Sequence, residues 1–420
     1  MLDRRTFIGG AVAAAALPGF AAGKGERIRK VASDPEIGKT LRKWKPGELD
    51  IHFLSFGMGE TGFYILPDGT TWLNDCGEYS FQPDQCPPRP SNRFCNGEWT
   101  CRYLSQILDK KELDYLTISH WHTDHAGSPS RLYKTKDGRG VNGSALVADK
   151  FRVRHYFDFE YPDFRLYVGG DKTAETMREY VKYAVEHEGL SVEPFRVGAL
   201  DQICLRHDES KKYGKLFHVR NICANGKVWT GKDESFVDYG PSTVKAQGGK
   251  RNIDVNILSM GVRIDYGRFS YFSGGDVSKW LKDENGKTVD YEATVGERCG
   301  PVTVCKTNHH GYVDAMREPF VKAVRPAAYL SNVWYFKQIQ DANMRFMSSR
   351  ELYPGDRFFF ATCIPPKSRE LNAGKDWWRD FAPPGHIVVR VAPGGGAYRI
   401  YVLDNTDEER RVVAVYEGEA

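Results

Sequence analysis

The chain has 420 residues, 41% apolar and 27% charged, with a net charge of +4 and a mean hydropathy of −0.52. These values exclude a disordered chain and a polytopic membrane protein, and the length supplies a large core without disulfide staples. A slightly basic balance spread along the chain points to neither nucleic acid nor a membrane surface.

Residues 1–22 read as an export signal. Arg4-Arg5 precede Thr6-Phe7-Ile8, an Ala/Gly-rich run extends from Gly9 to Leu17, and Gly19, Ala21 and Ala22 offer a cleavage site. The run falls short of the ~20 residues a membrane-spanning helix needs, so no transmembrane segment is expected after its removal. Paired arginines and weak hydrophobicity match a twin-arginine signal, which carries folded proteins to the bacterial periplasm or beyond; a Sec signal is the alternative.

Residues 23–48 form a basic, extended segment. Alternation then predicts strands over 50–56, 61–66 and 71–74, with turns at Gly57-Met-Gly-Glu60 and Pro67-Asp-Gly69. Helical spacing runs from Trp99 to Lys110 through Tyr103, Leu104 and Ile107. Leu116 to Ser119 is a short buried strand that delivers a His-rich loop. Residues 146–250 read as an insertion rich in charged and aromatic residues, with a helix over 173–188. Within it Tyr156 to Phe164 is aromatic and acidic, either a wall of a cleft or, preferred here, a second small core. Strands resume at 256–264, 269–272 and 302–306, a last hairpin spans 387–391 and 398–403, and 405–420 is a tail. Strands alternating with helices argue for α/β layers. Trp377-Trp378 and His386 read as packing residues.

Nine cysteines fall in a chain expected in an oxidising compartment. One disulfide is expected among Cys86, Cys95 and Cys101, in a Pro-rich stretch, with its pairing left open. Cys76 follows an apolar run and reads as a buried packing residue.

His120-Trp-His122-Thr-Asp124-His125 packs four metal-competent side chains into six positions after a buried strand. Imidazoles two residues apart can converge on one ion, and the Asp and His beyond can reach a second. Phe272-Ser-Gly-Gly-Asp276 ends a strand with one carboxylate, as a ligand bridging two ions would. Val302 to Gly311 ends another strand with His309 and His310. Alone, a carboxylate after glycines is a turn former and a His-His pair is ambiguous; the combination carries the signal.

These motifs resemble the metallo-β-lactamase superfamily of dinuclear metal hydrolases. Asp75, in Leu73-Asn-Asp75-Cys-Gly77, matches the acidic residue that family carries after an early strand. More narrowly the chain is similar to the competence-type, ComEC-like branch, through Gly57-Met-Gly-Glu60 and Asn256-Ile-Leu-Ser-Met260. The resemblance covers about residues 50–145 and 250–335, and implies a four-layer αββα sandwich over 49–404 with the metals at one edge. It departs in one respect. Many members have a further histidine between the first loop and the bridging Asp, and here His155, His187, His207 and His218 lack its context. The first ion would then be held weakly, or by Asn, Asp or water in the region of Asp254 and Asn256. His309, nearest the strand end, is favoured as ligand over His310, which is left for substrate or acid duty.

The ligand set implied is His120, His122, Asp124, His125, Asp276 and the His309–His310 pair, around two divalent ions, zinc or alternatively manganese. Such ions lower the pKa of bound water to roughly 7 and so supply a hydroxide nucleophile. Asp124 would orient it, and His310 would protonate the leaving group. The branch implies a phosphodiester, in nucleic acid, a small molecule or a cell-envelope component. Lactone or β-lactam hydrolysis, metal binding without turnover, and iron redox chemistry are the competing readings. Lys211-Lys212 and Arg410-Arg411 are too short to argue for nucleic acid.

Overall fold

The computed structural model describes residues 27–79, 84–162, 171–207, 210–239, 246–247, 250–251, 254–278, 280–282 and 287–420. The export signal expected over residues 1–22 lies outside them. No helix among the described residues is long and apolar enough to cross a membrane.

Leu49–Leu54, Thr61–Ile65 and Thr71–Cys76 are buried at every position, which requires cover on both faces of their sheet. This first sheet has ten strands. Ile28–Lys30, Val412–Glu419, Ala397–Leu403 and His386–Val391 lead antiparallel to Leu49–Leu54, Thr61–Ile65 and Thr71–Cys76. Glu112–Thr117, Arg152–Asp158 and Ser191–Pro194 then follow in parallel. The second sheet has eight strands. Its centre is the hairpin Gly261–Tyr266 and Phe269–Ser273, followed in parallel by Val304–Lys306, Ala328–Ser331 and Phe358–Ala361.

The sheets pack face to face over one apolar core. Tyr64 meets Tyr271 across it at 6.1 Å between ring centroids, and Phe360 meets Tyr416 at 4.9 Å. Helices Asn96–Ile107 and Gly143–Lys150 cover the outside of the first sheet; Tyr103 reaches in to His52, and Thr100 to Cys76. Helices Tyr291–Cys299 and Glu318–Val324 cover the second, with Phe320 against Phe272. The architecture is the αββα sandwich expected.

Several boundaries differ from those read in the sequence. Residues 146–250, expected as an insertion, are largely woven into the sandwich: Arg152–Asp158 and Ser191–Pro194 extend the first sheet, and Phe217–Ala224 pairs with Gly261–Tyr266. Tyr156 and Phe157 accordingly belong to the shared core, while Phe164 lies outside the described residues. Exposed Arg152 and Arg154 obscure the start of this strand, while Tyr156 to Asp158 are buried between the strands on either side. Residues 405–420, expected as a tail, hold Val412–Glu419, whose apolar alternation is paired on both sides. The strand expected over 256–264 begins only at Gly261, because the Asp254 side chain accepts the Asn256 N–H and winds Val255–Leu258 into a 3-10 turn. The disulfide joins Cys86 to Cys363, 277 positions away, and leaves Cys95 and Cys101 free.

Candidate metal centre

The chemistry-bearing residues sit beyond the carboxyl ends of four strands, two from each sheet. From the first sheet come Asp75, at the end of Thr71–Cys76, and the loop Ser119 to His125 after Glu112–Thr117. Trp121 turns into the core against Phe159, while the His120 and His122 rings meet at 4.8 Å. The short helix Thr123–Ala126 then brings up Asp124 and His125. From the second sheet come Asp276, after Phe269–Ser273, and the His309–His310 pair after Val304–Lys306. Gly275 permits Asp276 its approach: its φ is +56°, and a Cβ there would lie 2.9 Å from Ser119 and Ser259. His309 and His310 both adopt left-handed backbone, with φ of +45° and +54°, a strained state that side-chain-bearing residues keep where surrounding structure holds them.

Asp276 is 1% exposed, and its Oδ2 is the hub of the site. The Nε2 atoms of His125 and His310 each lie 3.2 Å from it, and those of His120 and His309 each lie 3.9 Å away. Every one of these rings is braced through its other nitrogen. Asp75 Oδ2 lies 2.9 Å from His125 Nδ1, Glu60 Oε2 lies 3.3 Å from His310 Nδ1, and Asp314 Oδ1 lies 2.7 Å from His309 Nδ1. Ser119 and Ser259 hydroxyls flank His120 Nδ1 at 3.1 and 3.3 Å. Such outer contacts fix the tautomer that leaves Nε2 free to bind a metal.

The donors fit a divalent ion. Glu60, His125, Asp276 and His310, all buried, offer donor atoms within 4.8 Å of one another. His125 Nε2 faces His310 Nε2 at 3.2 Å, and His120 Nε2 faces His122 Nδ1 at 3.0 Å. One carboxylate oxygen cannot satisfy so many convergent nitrogens, and the buried Asp276 Oδ1 has no hydrogen-bond partner. Imidazole and carboxylate together suit an ion such as zinc. Asp124 Oδ2 lies 3.5 Å from His310 Nε2. Burial would raise the Asp276 carboxyl, but the His125, His310 and His309 rings outweigh it and hold it well below the usual range. Burial and the neighbouring His125 and His122 push His120 well below its ordinary value.

All seven residues expected at a metal site are therefore brought together, with the two adjacent histidines in changed places. His310, expected on the substrate side, is 2% exposed, packs its ring against Trp334 at 4.3 Å and points inward. His309 stands at the rim. The four histidines set aside in the sequence lie elsewhere. His155 is on Arg152–Asp158 beside Tyr115, His207 meets Asp114, and His187 and His218 are exposed. In the region of Asp254 and Asn256 it is Ser259 that reaches the site, accepting the Asp276 N–H at 3.0 Å. His386 accepts the Ser55 N–H in the core, away from the cluster.

Glu60, Lys306 and Asp314 escape the sequence reading as parts of the site. Glu60 enters it only within the Gly57-to-Glu60 turn that carries the branch resemblance, with no role of its own. Lys306 was passed over as the end of an apolar strand, although a lone cation after Val302-Thr-Val-Cys was a visible signal. Its fully buried ammonium donates to the carbonyls of Gly275 and Thr307 at 2.6 and 3.1 Å and lies 3.1 Å from Glu60 Oε2 and 3.8 Å from Asp276 Oδ1. Glu60 thus stands between Lys306 and His310 Nδ1.

No family model and no curated protein matches the chain. Among solved structures it is similar to CmlA, a diiron β-hydroxylase from Streptomyces venezuelae, at 13% identity and a TM-score of 0.35, over 74% of this chain and 53% of that one. The chain thus spans about half the length of that hydroxylase. It is also similar to the short form of human tRNase Z, at 12% identity and a TM-score of 0.29, over 81% of this chain and 98% of that one. Zn2+-bound PqqB from Methylobacterium extorquens is similar at 9% identity and a TM-score of 0.32, over 81% and 99% of the two chains.

Proposed function

We propose that the chain is a metal-dependent hydrolase of the metallo-β-lactamase superfamily. The observation that carries this reading is the convergence of four braced imidazole nitrogens on Asp276 Oδ2. His120 and His122 would hold one ion and Asp124, His125 and His310 a second, with Asp276 between them. Bound there, divalent ions supply a nucleophile at neutral pH and polarise the scissile oxygen. The chain's own residues position and balance. Asp75 fixes the His125 tautomer, Glu60 fixes that of His310, and Lys306 offsets the negative charge of Glu60 and Asp276. Among Glu60, Asp75, Asp124 and Asp276, only Asp124 has substantial exposed surface, at 20% of its side chain, which places it to orient an attacking water.

For the substrate we take a phosphodiester, in a small molecule or a cell-envelope component. Support comes from the resemblance to the competence-type branch, two of whose motifs bear on the centre: Glu60 braces His310, and Ser259 holds Asp276. Export by the twin-arginine route is carried as part of the same reading, and the Cys86–Cys363 disulfide supports an oxidising destination.

Metal analysis of the purified protein, with assays on bis-p-nitrophenyl phosphate, a lactone and a β-lactam, tests the proposal. About two zinc or manganese ions per chain and chelator-sensitive phosphodiester turnover are expected. Turnover of only the lactone or β-lactam would replace the substrate, and absence of metal after reconstitution would overturn the hydrolase.

A further inference from the structure

On the outer side of the first sheet, helices Asn96–Ile107 and Gly143–Lys150 and the hairpin of Tyr133–Lys134 with Gly140–Val141 border a groove of about 560 Å3, within the ~300–1,000 Å3 usual for small-molecule sites. Its foot is at the amino ends of two strands. Lys111 and Phe151 both line it, and the Lys111 carbonyl accepts the Arg152 N–H at 3.0 Å. The metal centre lies beyond the opposite, carboxyl end of Glu112–Thr117, and none of its residues lines the groove.

Glu98, Cys101, Arg102 and Ser105 follow one face of the first helix, and Leu146, Asp149 and Lys150 one face of the second. The floor is apolar, made by Phe94, Tyr133, Val141, Leu146 and Phe151. The hairpin wall is pinned: Arg139, in its turn, pairs with Asp149 at 3.1 Å. Charge at the rim is uneven. Arg102, Lys111, Lys134 and Lys150 stand there against Glu98, Asp149 and Glu408. Arg102 takes Glu408 at 2.7 Å, Lys150 takes Asp149 at 3.1 Å, and Glu98 receives the Cys95 N–H at 3.3 Å.

Lys111 and Lys134 are exposed and have no carboxylate partner among the described residues. The acids nearest them in the chain are engaged elsewhere: Asp109 by Lys43, Glu112 by Arg154 and Asp137 by Arg139. An apolar floor beside two spare ammonium groups complements a hydrocarbon body with one anionic end. From Glu98 to Gln106 the groove follows the helix for about 12 Å, the length of an extended chain of about ten carbons.

We propose that this groove binds a free medium-chain carboxylate, its chain on the apolar floor and its carboxylate directed to Lys111 and Lys134. The site is independent of the metal reading. Decanoate is the probe, titrated into the full-length protein by calorimetry, with decyltrimethylammonium as the cation of equal chain length. Lys111→Glu with Lys134→Glu is the test variant, and Lys211→Glu with Lys232→Glu, both exposed, the control of equal charge. Occupancy has a local reporter. Among the free cysteines only Cys101 and Cys204 are not buried, so in a Cys204→Ser background maleimide labelling reads Cys101 in the groove.

About one decanoate per chain is expected, slowing Cys101 labelling in step with binding. The test variant should weaken decanoate at least about tenfold and the control less than about threefold. Equal affinity for decyltrimethylammonium, or unchanged affinity in the test variant, would overturn the proposal. Binding that leaves Cys101 labelling unchanged would place decanoate elsewhere and overturn it too. Failure to bind decanoate would do the same. Lysine-dependent retention on phosphatidylglycerol vesicles without binding of free decanoate would replace the small-molecule site by a membrane contact.

Discussion

Asp75 sits next to last in a strand buried throughout, with a left-handed backbone of φ +65°. Asp and Asn are the side chains that accept this conformation most readily after glycine. Its carboxylate accepts the Ser119 N–H and hydroxyl at 2.6 and 2.7 Å and faces His125 Nδ1 at 2.9 Å. Asp75→Asn preserves shape and backbone but presents an amide N–H to His125 Nδ1. The ring must then carry its proton on Nε2, where a metal would bind. Zn2+ affinity is expected to fall roughly 10- to 100-fold with the fold retained, measured by competition with a chromophoric chelator; unchanged affinity would remove Asp75 from the centre.

His386 shows the opposite kind of buried imidazole. Burial, with the nearby His52, pushes it down to about 3, and its Nδ1 accepts the Ser55 N–H. The unfolded value is near 6.5, so the folded state resists protonation. The stability this contributes is complete above pH 6.5 and is lost as pH falls from there toward 3. His386→Gln, which can still accept the Ser55 N–H, should reduce the loss between pH 6.5 and 4.5 by about 2 to 3 kcal/mol. Urea melts of metal-stripped protein at the two pH values measure this, and parallel profiles for parent and variant would refute it.

At the scale of elements, three segments distant in sequence are laced by backbone hydrogen bonds of 2.8 Å. Glu60 N–H donates to the Asp124 carbonyl, Gly77 N–H to Glu60, and Glu78 N–H to Thr123. Turn, strand end and histidine loop approach so closely that a Cβ on Gly77 would lie 1.7 Å from the Asp124 oxygen. Gly77→Ala must therefore push the loop away, and is expected to cost at least about 2 kcal/mol and to lower bound metal. Denaturant unfolding and metal analysis together check this, and a variant matching the parent in both would show that the loop gives way freely.

The sequence announces what is local at this scale. His120 to His125, Asp276 and the His309–His310 pair stand in compact motifs at strand ends, and all reach one centre. What it conceals is each brace, because the pairing depends on the fold: Asp314 is near its histidine in sequence, but Glu60 is 250 positions from His310, and Ser259 reaches back to His120 and on to Asp276. Orientation was equally hidden. The nearer histidine to the strand end takes the rim and the farther one the interior, since two left-handed residues, not strand alternation, set their directions. Arg152–Asp158 was masked by the exposed charges at its start, and the partner of Cys86 lies across the molecule at Cys363.

Over the whole molecule, the first sheet is assembled from both halves of the chain. Leu49–Leu54 lies in its middle, yet one of its two neighbours is His386–Val391, and the buried pair Asp50–Arg390 that locks them spans 340 positions. At about 5 to 20 residues per second, a ribosome needs roughly 20 to 70 s to travel from one to the other. For that interval one flank of Leu49–Leu54 is a bare strand edge, offering its amides and carbonyls to any passing neighbour. The shielding of that edge falls to whatever accompanies the nascent chain until its last hairpin emerges.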